Sequence, residues 1–102
     1  MGCGFSHMTI ILSVANQKGG VGKTTTAVNT SAVLSGSGRK VLLIDLDPQA
    51  NATMGSGVEK QNLENSIYEV LIGTEDISSV LKKTRFGYDI LPSNRDLIGA
   101  EL

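Results

Sequence analysis

Asn16-Gln17-Lys18-Gly19-Gly20-Val21-Gly22-Lys23-Thr24-Thr25-Thr26 lies between an apolar run, Thr9–Ala15, and a helix-compatible stretch that opens at Lys23. Gly22, Lys23 and Thr24 fit the end of the phosphate-loop pattern G-x-x-x-x-G-K-[ST], whose first glycine position is held here by Gln17. Gly19, Gly20 and Gly22 permit backbone angles that a Cβ forbids, so successive N–H groups can point inward as an anion-binding nest. A helix opening at Lys23 adds the positive end of its dipole to the same place. Lys23 supplies a mobile charge for outer phosphates, and the Thr24 hydroxyl supplies a hard oxygen suited to Mg²⁺. The plain alternative, a glycine-rich turn, gives no reason for the Gly-Lys-Thr order in a strand–loop–helix setting. A second lysine, Lys18, sits near the start of the loop.

Val41-Leu42-Leu43-Ile44 is a continuous apolar run, as expected of a parallel strand covered on both faces. It runs into Asp45-Leu46-Asp47-Pro48, which brings two carboxylates to the carboxyl end of that strand. Ligands of open α/β sheets bind at carboxyl ends. If the extended backbone persists, Asp45 and Asp47 point the same way, since side chains alternate along a strand. A carboxylate there can hold a magnesium-bound water or orient an attacking one. Taken alone, the same pair also reads as a turn or helix cap made of Asp and Pro.

Lys18–Thr25, followed by Leu43-Ile44-Asp45-Leu46-Asp47-Pro48-Gln49-Ala50-Asn51, resembles the ParA/Soj family of bacterial chromosome- and plasmid-partitioning ATPases. The wider group with this deviant loop includes MinD and the nitrogenase iron protein. Asp-Pro-Gln-x-Asn, Ser66–Leu71 and Leu91-Pro92-Ser93-Asn94 are closer to ParA than to those relatives, and the resemblance runs from Met8 to Leu102. It implies a P-loop NTPase-like α/β fold, a mainly parallel sheet with flanking helices, and a considerably longer domain than this chain, which is then a truncated part. It also implies ATP and Mg²⁺ as ligands, slow ATP hydrolysis and an ATP-sandwich dimer of two copies. Implied partners are a ParB-type centromere-binding protein and nonspecific DNA, the latter through a C-terminal part beyond Leu102; no membrane is expected. By the same resemblance Lys18 reaches the nucleotide of the partner subunit and Lys23 serves its own. Gly19, Gly20, Val21 and Gly22 line the phosphates, Thr24 binds magnesium and Thr25 contacts the α-phosphate. Asp45 belongs to the magnesium shell, and Asp47 positions the hydrolytic water. Independently of the family, a lysine offered across an interface resembles in kind an arginine finger supplied in trans; a solvated lysine beside a loop is the alternative. Two other classes remain. One is a noncatalytic phosphate- or nucleotide-binding half-domain, without turnover or DNA binding. The other is a metabolic ligase of the same loop superfamily, which Asp-Pro-Gln weighs against.

Composition agrees with an ordinary α/β domain: 40% hydrophobic, 19% charged, twelve glycines and a formal net charge of −1. No basic stripe marks a nucleic-acid surface; Lys82, Lys83 and Arg85 read as a solvated helix end. No run of about eighteen apolar residues is present to span a membrane. Met1–His7 does not read as folded sequence and is taken as an added leader before a domain portion, 8–102. The single cysteine, Cys3, falls inside it, so disulfides are not expected, in keeping with a cytoplasmic, bacterial protein.

Along the chain, Thr9–Ala15 reads as the first strand and Lys23–Ser35 as a crossover helix with Ala27, Val28, Ala32, Val33 and Leu34 on its apolar face. Gly36-Ser37-Gly38 ends that helix, and Val41–Asp45 completes a βαβ unit. Asn51–Asn62 reads as a loop, with a short helical turn near Ala52–Met54. Ser66-Ile67-Tyr68-Glu69 is a capping box whose helix closes at Gly73. A weak segment follows through Leu81, and Tyr88–Leu91 is a third strand stopped by Pro92. Asn94 is placed to cap a final helix. The two tyrosines read as packing residues.

Overall fold

Two parallel seven-residue strands, β1 (Thr9–Ala15) and β2 (Lys40–Leu46), pair from Thr9↔Lys40 to Ala15↔Leu46 in the computed structural model, which describes residues 9–15, 21–59 and 63–94. Helix α1 (Val21–Gly36) connects them. There follow α2 (Asn51–Gly55), α3 (Ile67–Leu71), α4 (Ile77–Val80), β3 (Lys82–Lys83) and β4 (Asp89–Leu91). The described strands form one sheet in the order β1-β2-β4-β3, with β4 parallel to β2 and β3 antiparallel to β4. Among the described residues β1 pairs on one side only, and its Ile11 is 60% exposed.

The apolar run of β2 serves two cores. Val41 and Leu43 are buried with Ala52, Tyr88 and Ile90, and Ala27, Val28, Ala32 and Leu34 of α1 pack over them. On the other face Leu42, Ile44 and Leu46 meet Ile67, Val80 and Leu91 but remain half-buried themselves. Coverage on both faces is therefore present but unequal, because α3 and α4 are short. Val33 departs from expectation: it is 71% exposed. At 3.6 residues per turn, Ala27, Val28, Ser31 and Ala32 form one stripe facing the sheet, and Val33 falls off it. Ser31, buried within that stripe, donates its hydroxyl to Ala27 O at 2.8 Å, so its polar atom is satisfied by the helix itself.

Local chemistry explains how the helices end. Gly38 takes φ 89°, and the bonds Gly38 N→Ser35 O and Arg39 N→Leu34 O close α1 as a Schellman motif. At α3 the capping box is formed: Tyr68 N donates to Ser66 Oγ at 3.2 Å and Ser66 N to Glu69 Oε1 at 2.7 Å. Asp76 stands at the start of α4 without a side-chain cap bond.

One reading is corrected. Lys82 and Lys83 are not a helix end but a two-residue edge strand, both side chains exposed. The turn Thr84–Gly87 forces this: Thr84 N and Oγ1 both donate to Tyr88 O, at 3.0 and 2.7 Å, folding the chain back against β4. Short lysine-bearing edges resist further strand pairing. Within Asn51–Asn62, the short helical turn expected near Ala52–Met54 is present as a five-residue helix, Asn51–Gly55. Tyr88 packs as expected, buried and hydrogen-bonded to Ser56 Oγ at 2.6 Å. Residues 95–102, and with them the expected final helix, lie outside the described residues.

Candidate functional site

The carboxyl ends of β1 and β2 finish level, since Ala15 pairs with Leu46. Beyond that line the chain leaves β2 through two successive Asx turns. Asp47 N donates to Asp45 Oδ1 at 2.9 Å, and Gln49 N donates to Asp47 Oδ1 at 2.8 Å. The backbone thus stops being extended at Asp47, so strand alternation does not govern where the second carboxylate lies. Asp47 Oδ2 takes Asn51 N at 3.1 Å and Asn51 Nδ2 at 2.7 Å. Asp45 Oδ2 takes Thr53 N at 2.8 Å and Thr53 Oγ1 at 2.6 Å. Both carboxylates are buried, at 0% and 1% exposure, and each is held by three donors.

The Asp-Pro turn-and-cap reading is therefore realised in the geometry: these carboxylates supply the acceptors that let α2 begin. Paired donors also explain how two carboxylates tolerate such burial. A carboxylate offers about four acceptor sites, so three described donors leave room for roughly one more. Burial pushes the Asp45 carboxyl above the ordinary carboxylate range; the bonds from Thr53 and from Asp47 N oppose this, and the neighbouring Asp47 charge adds to it.

Ala50, immediately before α2, adopts φ 60°, ψ 37° with its side chain fully buried. A left-handed conformation costs a non-glycine residue about 1–2 kcal/mol. The bond Ala50 N→Asp47 O at 2.7 Å and the Asp47 clamp hold it there. Strain of this kind is stored where surroundings over-determine the backbone, often at functional sites.

From β4 comes a third tie. Ser93 N donates to Thr53 Oγ1 at 3.0 Å, and Ser93 Oγ donates to Asp47 O at 2.7 Å. The ends of β2 and β4 and the body of α2 thus meet in one buried polar cluster. Thr53 and Ser93 were not picked out by sequence reasoning. Their partners lie 8 and 40 or more residues away, and only the Leu-Pro-Ser-Asn segment hinted at Ser93.

Of the sequence-predicted site residues, Gly22, Lys23, Thr24 and Thr25 follow Val21 in the first two turns of α1. Thr24 and Thr25 line a cleft of about 380 Å³ between α1 and α2, together with Val28, Asn29, Asn51 and Gly55. Asn51 is also the residue that grips Asp47, so one side chain joins the cleft to the carboxylate pair. Lys18, Gly19 and Gly20 lie outside the described residues. Among the described residues no three His, Cys, Asp or Glu side chains converge on a metal position. The hard oxygens of Asp45 and Thr24 still suit Mg²⁺, which characteristically takes one or two protein oxygens, with water and phosphate completing its shell.

A β-strand leading to a Gly-Lys-Thr helix start, a second parallel strand ending in buried carboxylates, and the observed strand order make this a P-loop NTPase-like α/β fold. Known proteins agree. The chain is 50% identical, with a TM-score of 0.83, to the solved cobyrinic acid a,c-diamide synthase from Mycobacterium smegmatis with bound ADP and magnesium, covering 92% of this chain and 38% of that one. It is 36% identical, with a TM-score of 0.75, to the septum site-determining protein MinD of Pyrococcus horikoshii complexed with Mg-ADP, over 92% and 40% of the two chains. It is 46% identical to the sporulation initiation inhibitor protein Soj of Bacillus subtilis over 90% of this chain and 37% of that protein. Residues 8–102 match the AAA domain family, and the chain belongs to it, on the ParA/Soj side of that family. It spans little more than a third of the curated relatives it matches.

Proposed function

We propose that the protein is an ATP-dependent switch in chromosome or plasmid partitioning. ATP with Mg²⁺ binds at the carboxyl ends of β1 and β2, two subunits close face to face on it, and slow hydrolysis reopens them. The observation that carries this reading is the buried, donor-clamped pair Asp45 and Asp47, joined through Asn51 to a cleft lined by Thr24 and Thr25. The relatives support it, since one is Soj and two solved ones hold ADP with magnesium.

In this reading the amides of Gly19, Gly20, Val21 and Gly22 and the Lys23 ammonium hold the phosphates, with Thr25 on the α-phosphate. Thr24 and Asp45 hold the magnesium and its water shell, and Mg²⁺ supplies neutralisation of phosphate charge when bound. Asp47 orients the attacking water through its remaining acceptor site, while its other three keep the turn to α2 rigid. Lys18 reaches the nucleotide of the second subunit and stabilises charge developing there. A ParB-type partner and nonspecific DNA act on the dimer through other parts of the protein, in the bacterial cytoplasm and on the nucleoid, and no membrane takes part.

The test is phosphate release and ATP-dependent dimerisation of the full-length protein carrying Asp47→Ala. Turnover is expected to vanish while ATP still dimerises the variant. Continued phosphate release from a folded variant would remove Asp47 from the mechanism. A second reading, ATP-driven amide formation, is favoured only by the 50% identity to the diamide synthase. Faster phosphate release on adding cobyrinic acid with an ammonia source would select it.

A further inference from the structure

We propose that Thr53 is the positioning residue for Asp45, and that through Ser93 it ties the orientation of this carboxylate to the end of β4. The inference rests on the reading of Asp45 as part of the magnesium shell and adds a residue that the reading did not contain.

The direction of each bond is set by the partners. An ionised carboxylate only accepts, and a backbone N–H only donates. The Thr53 hydroxyl therefore gives its one proton to Asp45 Oδ2, at 2.6 Å, and uses a lone pair for Ser93 N, at 3.0 Å. Among side chains of about this size a hydroxyl is what satisfies both neighbours: valine does neither, and a thiol is only a weak donor and acceptor. The short contact is a charge-assisted bond, among the stronger classes of hydrogen bond. Thr53 also gives its backbone N–H to the same Oδ2, at 2.8 Å, so one residue holds that oxygen from two directions. With Oδ1 held by Asp47 N, the carboxylate has little freedom to rotate.

Thr53, Asp45 and Ser93 are all at 0% exposure, so water does not substitute for a lost partner without opening the structure. Ser93 extends the lock, because its hydroxyl holds Asp47 O at 2.7 Å. Both site carboxylate residues are thereby referred to one residue just beyond β4, 40 and 46 residues away from Thr53 and Asp47 in the chain. Partners of metal-shell carboxylates typically change metal affinity by about 10–100-fold when removed, without touching the metal themselves.

The experiment titrates Mg²⁺ against binding of a fluorescent ATP analogue by the full-length protein, with a parallel measurement in EDTA. Thr53→Val is expected to raise the Mg²⁺ needed for half-saturation by about 10-fold or more, with binding in EDTA unchanged. Thr53→Ser, which keeps the hydroxyl, is expected to restore the wild-type Mg²⁺ dependence. A residue that merely fills the core would lower thermal stability and leave the Mg²⁺ midpoint where it was. Should Thr53→Val not fold, Thr53→Cys carries the same test with a smaller shift in the same direction. Asp45→Asn serves as the reference. If it shifts the midpoint and neither Thr53→Val nor Thr53→Cys does, the positioning role is overturned while the reading of Asp45 stands. If Asp45→Asn itself leaves the midpoint in place, that reading falls, and the inference with it.

Discussion

The two faces of β2 are built on different terms. Toward α1 and α2, Val41 and Leu43 are buried and the same face ends in Asp45, whose two carboxylate oxygens are both engaged. Toward α3 and α4, Leu42, Ile44 and Leu46 stay half-buried under two helices of five and four residues, and Leu71, Ile72 and Ile77 remain exposed. Short helices make few contacts and owe their stability to docking. The first face is rigid enough to hold strained backbone at Ala50; the second is held by a smaller apolar cluster. Precise placement of charge needs the former, because an imprecisely held buried carboxylate is costly.

The largest effect that sharpens this contrast is in the core. Leu43→Ala, at a side chain with 0% exposure, is expected to cost about 2–5 kcal/mol in denaturant unfolding. Leu42→Ala, one residue away on the other face, should cost distinctly less; equal losses would mean the two faces are packed alike. Next comes Tyr88→Phe, which leaves the buried Ser56 hydroxyl without its 2.6 Å partner and should cost about 1–3 kcal/mol. Burial raises the Tyr88 phenol above its ordinary value, with the Ser56 bond opposing. The folded state then keeps its proton longer than the unfolded state. Stability from this group is full below about pH 10 and is lost as pH rises through the folded value. Alkaline unfolding measured by circular dichroism should show that dependence in the wild type and not in Tyr88→Phe.

On the weaker face, Ser66→Ala removes half of the capping box and should cost about 1 kcal/mol. Amide hydrogen exchange in α3 should rise before exchange in β2 does, and simultaneous loss would show the faces unfolding as one. Smallest of all is Lys83→Ala. Its 3.8 Å contact to Asp89 is exposed, with 87% of the lysine side chain accessible, and removal should change stability by no more than about 0.5 kcal/mol.

Much of this was legible in the chain because it depends on near neighbours. The strand-then-helix order, the Gly38 helix end and the Ser66 capping box follow from spacings of a few residues, and the structure shows each. Val33 was misplaced because a count of apolar residues does not say where the helix stripe meets its sheet. Lys82 and Lys83 were misread because the strand depends on a turn whose Thr84 bonds back to Tyr88. At Asp45 and Asp47 the sequence supported two readings, ligand-end carboxylates and turn caps, and the geometry makes the caps real without displacing the other reading.

What the sequence determined by itself was the βαβ unit, the helix stops and the carboxylates at the end of β2, since period, glycine and cap chemistry act over one or two turns. Only the tertiary structure decided that Thr53 would complete the Asp45 carboxylate and that Ser93 would brace Thr53 and the Asp47 backbone. A buried charge is stable where donors converge on it, and the residue that braces such a donor from 40 positions away reaches it only after the sheet has formed.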